Sequence, residues 1–170
     1  MIEPFAVNGV DAEEIDLGDY PMPIYDGDLE DRDGPPPTAR ELAARIESFA
    51  GLVFLSPEHN GGPSALLKNT IDWLTRVDRG IFRPLLVGLA GASTNSRGAT
   101  VGLDAMRRLA VFMRLDLVPT AVSIPHASAA FEIDDEGAIS LTRAEDIANV
   151  DRFVADYARL LNARADGASA

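Results

Sequence analysis

Residues 56–62 read S-P-E-H-N-G-G and close an apolar run just before a helical pattern begins. A turn needs one or two such residues, so seven together indicate a loop that holds something. Gly61 and Gly62 let a backbone approach a ligand with no Cβ in the way. Asn60 offers a donor and an acceptor together, and Glu58 and His59 can meet a ring edge or stack on it. Ser56, His59 and Asp72 are the set from which a nucleophilic triad could be drawn, but their spacing does not favour one, and no G-x-S-x-G elbow is present. His59 and His126 are the only histidines and form no H-x-x-x-H pair, so no zinc motif is read. Two readings of the loop stay open from its residues alone. It holds a planar polar ring, or it is a turn closed by its own hydrogen bonds.

A second polar loop, S-T-N-S-R-G at 93–98, stands in the same relation to its neighbours. G-L-V-F-L-S-P (51–57), P-L-L-V-G-L-A-G-A (84–92) and L-V-P-T-A-V-S-I-P (117–125) are nearly continuous apolar runs. They predict strands buried on both faces of a parallel sheet. A-E-E-I-D-L (12–17) predicts a further short strand. Thr38 with Glu41 reads as a capping box for a helix carrying Leu42, Ile46 and Phe49. Pro63 suits the first turn of a helix with Leu66, Leu67, Thr70, Ile71 and Leu74 on one face. Leu103, Met106, Leu109, Ala110 and Met113 mark another helix. After a loop with the acidic turn I-D-D-E-G-A, a last helix is expected from about Thr142 to Leu161, then a frayed tail over about 162–170.

Strand then helix, repeated with short links, means βα units on a parallel sheet with helices on both faces, an α/β fold in one domain of residues 1–170. In such folds ligands bind at the carboxyl ends of the strands, where both polar loops sit, each before a helix N-terminus.

Composition bounds the partners. The formal net charge is −12, from 27 acidic and 15 basic residues, which argues against nucleic acid and anionic membrane surfaces. There are no cysteines, which excludes disulfides, thiol nucleophiles and cysteine-held iron–sulfur clusters. No apolar run reaches about 18 residues, so no membrane span is expected. M-I-E-P-F-A-V-N-G-V lacks the basic and long apolar regions of a signal peptide, and a cytoplasmic location is expected.

S-P-E-H-N-G-G-P-S-A-L-L-K-N-T-I-D-W resembles the signature of the NADPH-dependent FMN reductases, P-E-[YH]-N-[GR]-[SG] followed by L-K-N-x-[IL]-D-W. I-D-L-G-D-Y-P-M-P-I-Y-D-G-D (15–28), A-G-A-S-T-N-S-R-G-A (90–99) and V-S-I-P-H-A-S-A-A-F (122–131) resemble other family segments, in order, from about Asp11 to about Tyr157. The resemblance implies a flavodoxin-like three-layer sandwich with a five-stranded parallel sheet in the order 2-1-3-4-5. It implies FMN and NADPH (or NADH) as cofactors, and electron transfer through FMN to a flavin, quinone, azo dye or metal oxyanion. It implies a homodimer or homotetramer. Pro57, Glu58, His59, Asn60, Gly61 and Gly62 would border the flavin ring, with backbone N–H groups from Asn60 to Gly62 on its polar edge. Ser93, Thr94, Asn95 and Arg97 would flank the other side. No catalytic acid or base is implied, because the cofactor carries the chemistry. Lys68, Asn69, Asp72 and Trp73 would fix the helix behind the loop, and His126 would shape a loop or a subunit contact.

The sequence departs from the family at its front. The family's first strand and its G-S-x-R-x-x-S-x-N phosphate loop find no counterpart here, so the sheet is expected without its first strand. Three readings follow: a reductase whose start lies upstream, a flavin-free binding or scaffold protein, or a short form that binds flavin weakly.

Overall fold

The structure is a computed structural model that describes residues 2–168. Four parallel strands form its main sheet. β1 (Gly51–Pro57) pairs with β2 (Leu86–Ala92) over its full length, and β2 pairs on its other side with β3 (Asp116–Leu117) and β4 (Val122–Ile124). β3 and β4 come from the single run expected over 117–125, which Pro119 interrupts because it has no N–H for the ladder.

Helices cover both faces. α3 (Pro37–Ile46), α4 (Ala65–Val77) and α5 (Thr100–Met113) pack one side through Leu42, Ile46, Leu67, Ile71, Leu74 and Leu103. α1 (Ile2–Val7) and α7 (Ala144–Ala168) pack the other through Phe5, Val150, Phe153, Val154 and Tyr157. β2 alternates between them: Val87 and Leu89 join the first core, Leu86 and Ala90 the second. Gly88 leaves room for the Phe153 ring, whose Cζ would lie 2.6 Å from a Cβ there. This is the three-layer α/β sandwich that the sequence predicts.

Several expectations are corrected. The segment 12–17 is not a strand. It runs irregularly into a 3-10 turn at Leu17–Asp19, where Asp16 accepts a hydrogen bond from the Gly18 N–H (2.7 Å) and takes the chain out of strand geometry. The main sheet has four strands among the described residues, against the five of the family plan, and none precedes β1. β1 is therefore an edge, only half-buried from Gly51 to Phe54, with Leu55 55% exposed. A strand buried on both faces was expected there. Thr38 is not a cap: α3 starts at Pro37, and the Thr38 hydroxyl donates to the Pro21 carbonyl (2.8 Å). Pro63 lies one residue before the true N-cap of α4, Ser64. The last helix starts at Ala144 and continues to Ala168, so the residues expected to fray from 162 are helical as far as they are described.

Around the acidic turn, β5 (Phe131–Ile133) and β6 (Ile139–Leu141) form an antiparallel hairpin, preceded by the short α6 (Ala127–Ala130). The remaining helix, α2 (Gly27–Asp33), is capped by Asp26, whose carboxylate accepts from the N–H groups of Asp28 and Leu29. Among the described residues no helix is long and apolar enough to cross a membrane.

Candidate functional site

The two polar loops meet at the carboxyl ends of β1 and β2, because Pro57 pairs with Ala92 at the last step of the ladder. The first loop is a tight turn. The His59 N–H donates to the Gly62 carbonyl (2.9 Å), and the Gly62 N–H donates back to His59 (3.0 Å). Its central residues, Asn60 and Gly61, have φ of 51° and 73°. Two successive positive φ values mark a primed hairpin turn, for which Asn-Gly is the favoured pair. The turn thus has internal hydrogen bonds, as one reading of the sequence held. It also leaves the Asn60 and Gly61 N–H groups without a partner among the described residues, while that of Gly62 is used up. The Asn60 and His59 side chains are exposed.

Glu58 does not face outward. Its N–H donates to the Ala92 carbonyl (2.9 Å), and its carboxylate accepts from the Gly102 N–H in the first turn of α5 (2.8 Å). A carboxylate at a helix N-terminus is stabilised by the free N–H groups and the helix dipole. Gly102 permits the approach, since a Cβ there would stand 3.1 Å from the Gly62 carbonyl oxygen and 3.2 Å from Glu58 Cγ. Ser56 fastens the other end of the loop. It is buried, donates to the Pro57 carbonyl and accepts from the Ser64 N–H (2.8 Å).

The second loop is pinned to β4. The Ser93 N–H donates to the Ile124 carbonyl (3.0 Å), and the Ser123 hydroxyl accepts from the Ala99 N–H (3.0 Å). Asn95 organises the middle: its amide donates to Ser93 Oγ, its side-chain oxygen accepts from the Arg97 N–H, and its carbonyl accepts from the His126 N–H. His126, with φ of 50°, thereby shapes the loop. Thr94 and Arg97 are exposed. Between the first loop, α4 and α5 runs an open groove of about 490 Å³, bordered by His59, Asn60, Pro63, Lys68, Ala105 and Leu109. Among the described residues no group of three or more His, Asp and Glu side chains is placed to hold a metal ion.

The motif L-K-N-T-I-D-W does its work behind the loops. The Asn69 side chain accepts from the Tyr25 N–H (2.8 Å) and donates to the Pro23 carbonyl (2.9 Å). The fully buried Trp73 donates its indole N–H to the same carbonyl (2.7 Å) and meets Tyr25 edge-on. Lys68 and Asp72 form an exposed pair one turn apart. α4 thus carries the Pro23–Tyr25 segment alongside the site. Sequence reasoning missed Tyr25, Ser123 and Gly102. P-M-P-I-Y, with two prolines beside its one aromatic, was the available signal for the first; Ser123 and Gly102 are tertiary partners that no local pattern marks.

The profile of the family described as NADPH-dependent FMN reductase matches residues 2–129. The quinone reductase of Escherichia coli (strain K12) is 34% identical over 97 residues, 54% of this chain and 49% of that protein. The NAD(P)H-dependent FMN reductase of Pseudomonas aeruginosa is 31% identical over 122 residues, 69% of this chain and 64% of that one. The chain spans about half the length of the curated relatives it matches. Among solved structures, the flavoenzyme NAD(P)H:(acceptor) oxidoreductase of Paracoccus denitrificans superposes with a TM-score of 0.71 at 22% identity, covering 95% of this chain and 85% of that one. An oxidoreductase from Corynebacterium diphtheriae gives a TM-score of 0.68 at 20% identity, with 94% and 81% covered. Likeness at such identities is a likeness of fold.

Proposed function

This chain belongs to the NADPH-dependent FMN reductase family, and from that premise we propose that it is an NAD(P)H-dependent oxidoreductase working through FMN held at the ends of β1 and β2. One observation carries the reading: an Asn-Gly turn with two unpaired N–H groups stands beside a second rigid polar loop, at adjacent ends of parallel strands.

These residues fit the ring end of FMN. Asn60 and Gly61 would donate to its polar edge, with Pro57, His59 and Gly62 along its border. Ser93 and Thr94 would face its other side, and Asn95 would keep their loop in shape. Arg97, exposed on the second loop, is the cation that loop would offer an anionic group. Glu58 holds the loop against α5, which keeps its charge off the ring edge. The phosphate end fits less well, since among the described residues no strand-to-helix loop precedes β1. When bound, FMN would accept a hydride from NADPH or NADH and pass electrons to a flavin, quinone or similar acceptor. The chain's part is to orient the ring and fix the groove beside it, and no side-chain acid or base is required. Exposed Leu66, Val101 and Phe112 on α4 and α5 support self-association as a homodimer or homotetramer, and a cytoplasmic location is in keeping with the reading.

The test is an FMN titration of the 170-residue chain, followed by flavin fluorescence. Saturable quenching at or below about micromolar FMN is expected, with NADPH oxidation when a benzoquinone is added. Gly61→Val, which adds a branched side chain at positive φ, is expected to weaken FMN at least about tenfold. No quenching up to about millimolar FMN would overturn the reading in favour of a flavin-free binding domain.

A further inference from the structure

Two arginines tie α7 to opposite ends of the sheet. Within the helix, Arg164 donates through Nη2 to the Pro84 carbonyl (3.1 Å) and pairs with Asp116 (3.1 Å), at the amino ends of β2 and β3. Directly before the helix, Arg143 repeats the arrangement at the carboxyl end of β4. Its Nη2 donates to the Pro125 carbonyl (2.7 Å), one residue past the strand, and its Nε donates to Asp146 Oδ2 (2.6 Å). Asp146 lies in the first turn of α7 and is only 1% exposed. A buried carboxylate needs a counter-charge, and a guanidinium supplies one that stays protonated. The pair fixes the guanidinium, and the guanidinium fixes the Pro125 carbonyl. That carbonyl and the His126 N–H belong to one planar peptide unit. The N–H side is held too, since it donates to the Asn95 carbonyl of the second loop (3.0 Å). His126 itself has φ of 50°, a conformation that a residue with a Cβ keeps only where its surroundings enforce it. Two further bonds join the same strip to the loop: the Ala127 N–H donates to the Ser93 carbonyl, and the Ser93 N–H donates to the Ile124 carbonyl (both 3.0 Å).

We propose that Arg143 is a positioning residue for the flavin site. It locks the plane of the Pro125–His126 peptide, and through that peptide it sets the shape in which Ser93 to Arg97 meet the ring. The proposal rests on the reading that this loop flanks FMN. Asp146 has the supporting part of holding the guanidinium in place. Lysine cannot stand in for Arg143. Its ammonium is a point charge that can meet Asp146 or the Pro125 carbonyl, but it lacks the planar fork that spans both. A Lys at 143 would therefore keep the buried carboxylate neutralised while releasing the peptide. Arg164 shows what a fastening role alone looks like, because its two acceptors lie at the strand ends away from both loops.

The test compares Arg143→Lys with Arg164→Lys in the full chain. Without ligand, amide exchange at His126 and Ala127 is expected to quicken about tenfold in Arg143→Lys and to stay unchanged in Arg164→Lys. FMN is expected to bind Arg143→Lys about tenfold more weakly, with the visible absorption band of the bound flavin shifted. Arg164→Lys is expected to keep the affinity and the band of the unaltered chain. Asp146→Asn is the second variant, should circular dichroism show that Arg143→Lys does not fold. It keeps the shape of the side chain, removes the charge that anchors the guanidinium, and is expected to bring the same changes. The proposal is overturned by unchanged exchange at His126 and Ala127, or by unchanged FMN affinity in the variant that folds. Equal weakening of FMN in the Arg143 and Arg164 variants overturns it too, because Arg143 would then only fasten α7. Failure of the unaltered chain to bind FMN is a separate outcome, seen before any substitution. It overturns the functional reading, and the role of Arg143 falls with it.

Discussion

The Pro23 carbonyl oxygen accepts two hydrogen bonds, from Asn69 Nδ2 and Trp73 Nε1, and both donors belong to one family motif. Asn69→Ala removes this bond and the one from the Tyr25 N–H, so a loss of about 1–2 kcal/mol is expected in urea unfolding. Trp73→Phe removes the other donor and leaves a void in the core. In the double variant the losses should not add, because either bond alone keeps the shared carbonyl satisfied and only the double variant leaves it without a donor; a double-mutant cycle reads the coupling. Limited proteolysis within 20–26 should quicken in each. Gly61→Ala is expected to cost about 1 kcal/mol, because φ there is 73° and the new Cβ would lie 3.3 Å from Val101 Cγ1. Differential scanning calorimetry would show it as a fall in Tm of about 2–4 °C. The identities of these residues were legible from the motif. Their partners were not, because Pro23 and Gly102 are brought in by tertiary contacts from 50 and 44 residues away.

At the scale of elements, α7 is tied to the sheet by Tyr157, whose buried hydroxyl donates to the Leu86 carbonyl (2.9 Å). Burial raises the phenol's pKa well above the ordinary range. A raised folded-state pKa means that the neutral form is favoured in the fold. That contribution is complete below the ordinary phenol value of about 10 and is lost as pH rises beyond it. The protein should therefore weaken above about pH 10, and Tyr157→Phe should flatten that decline while costing about 1 kcal/mol at neutral pH. Chemical denaturation at pH 7 and pH 11 would separate the two. β2, α4 and α5 were legible as elements because burial on both faces, or on one helical stripe, imposes a clear periodicity. The 12–17 segment was misread although A-E-E-I-D-L, mostly Ala, Glu and Asp, is poor in strand formers, and Asp16 offers its backbone a turn. The β5–β6 hairpin was missed although its signal was there: F-E-I and I-S-L flank an acidic loop with Gly137 at φ of 84°.

At the scale of the molecule, the sheet is unevenly closed. β2 has neighbours on both sides and β1 on one. In the free chain, amides of Val87 and Leu89 should exchange slowest and those of Val53 and Leu55 among the fastest of the strand residues, a gradient that hydrogen exchange with mass spectrometry would resolve. Uniform protection across β1 and β2 would contradict it. The three-layer plan was readable from the order of runs and loops, though a strand was expected at 12–17 and none precedes β1 among the described residues. The cleft that this leaves was not, since its walls come from α1, α3, α4 and α7, which are remote in sequence. The packing of Phe5 edge-on against Tyr157, ring centroids 5.4 Å apart, sets α1 and α7 side by side on one face. Under tension applied at the termini, load would fall first on that helix pair. α1 would peel away turn by turn at low force, before any ladder is sheared. A pull on its ends would thus remove the Phe5 wall of the cleft beside β1 while leaving the loops at the strand tips in place.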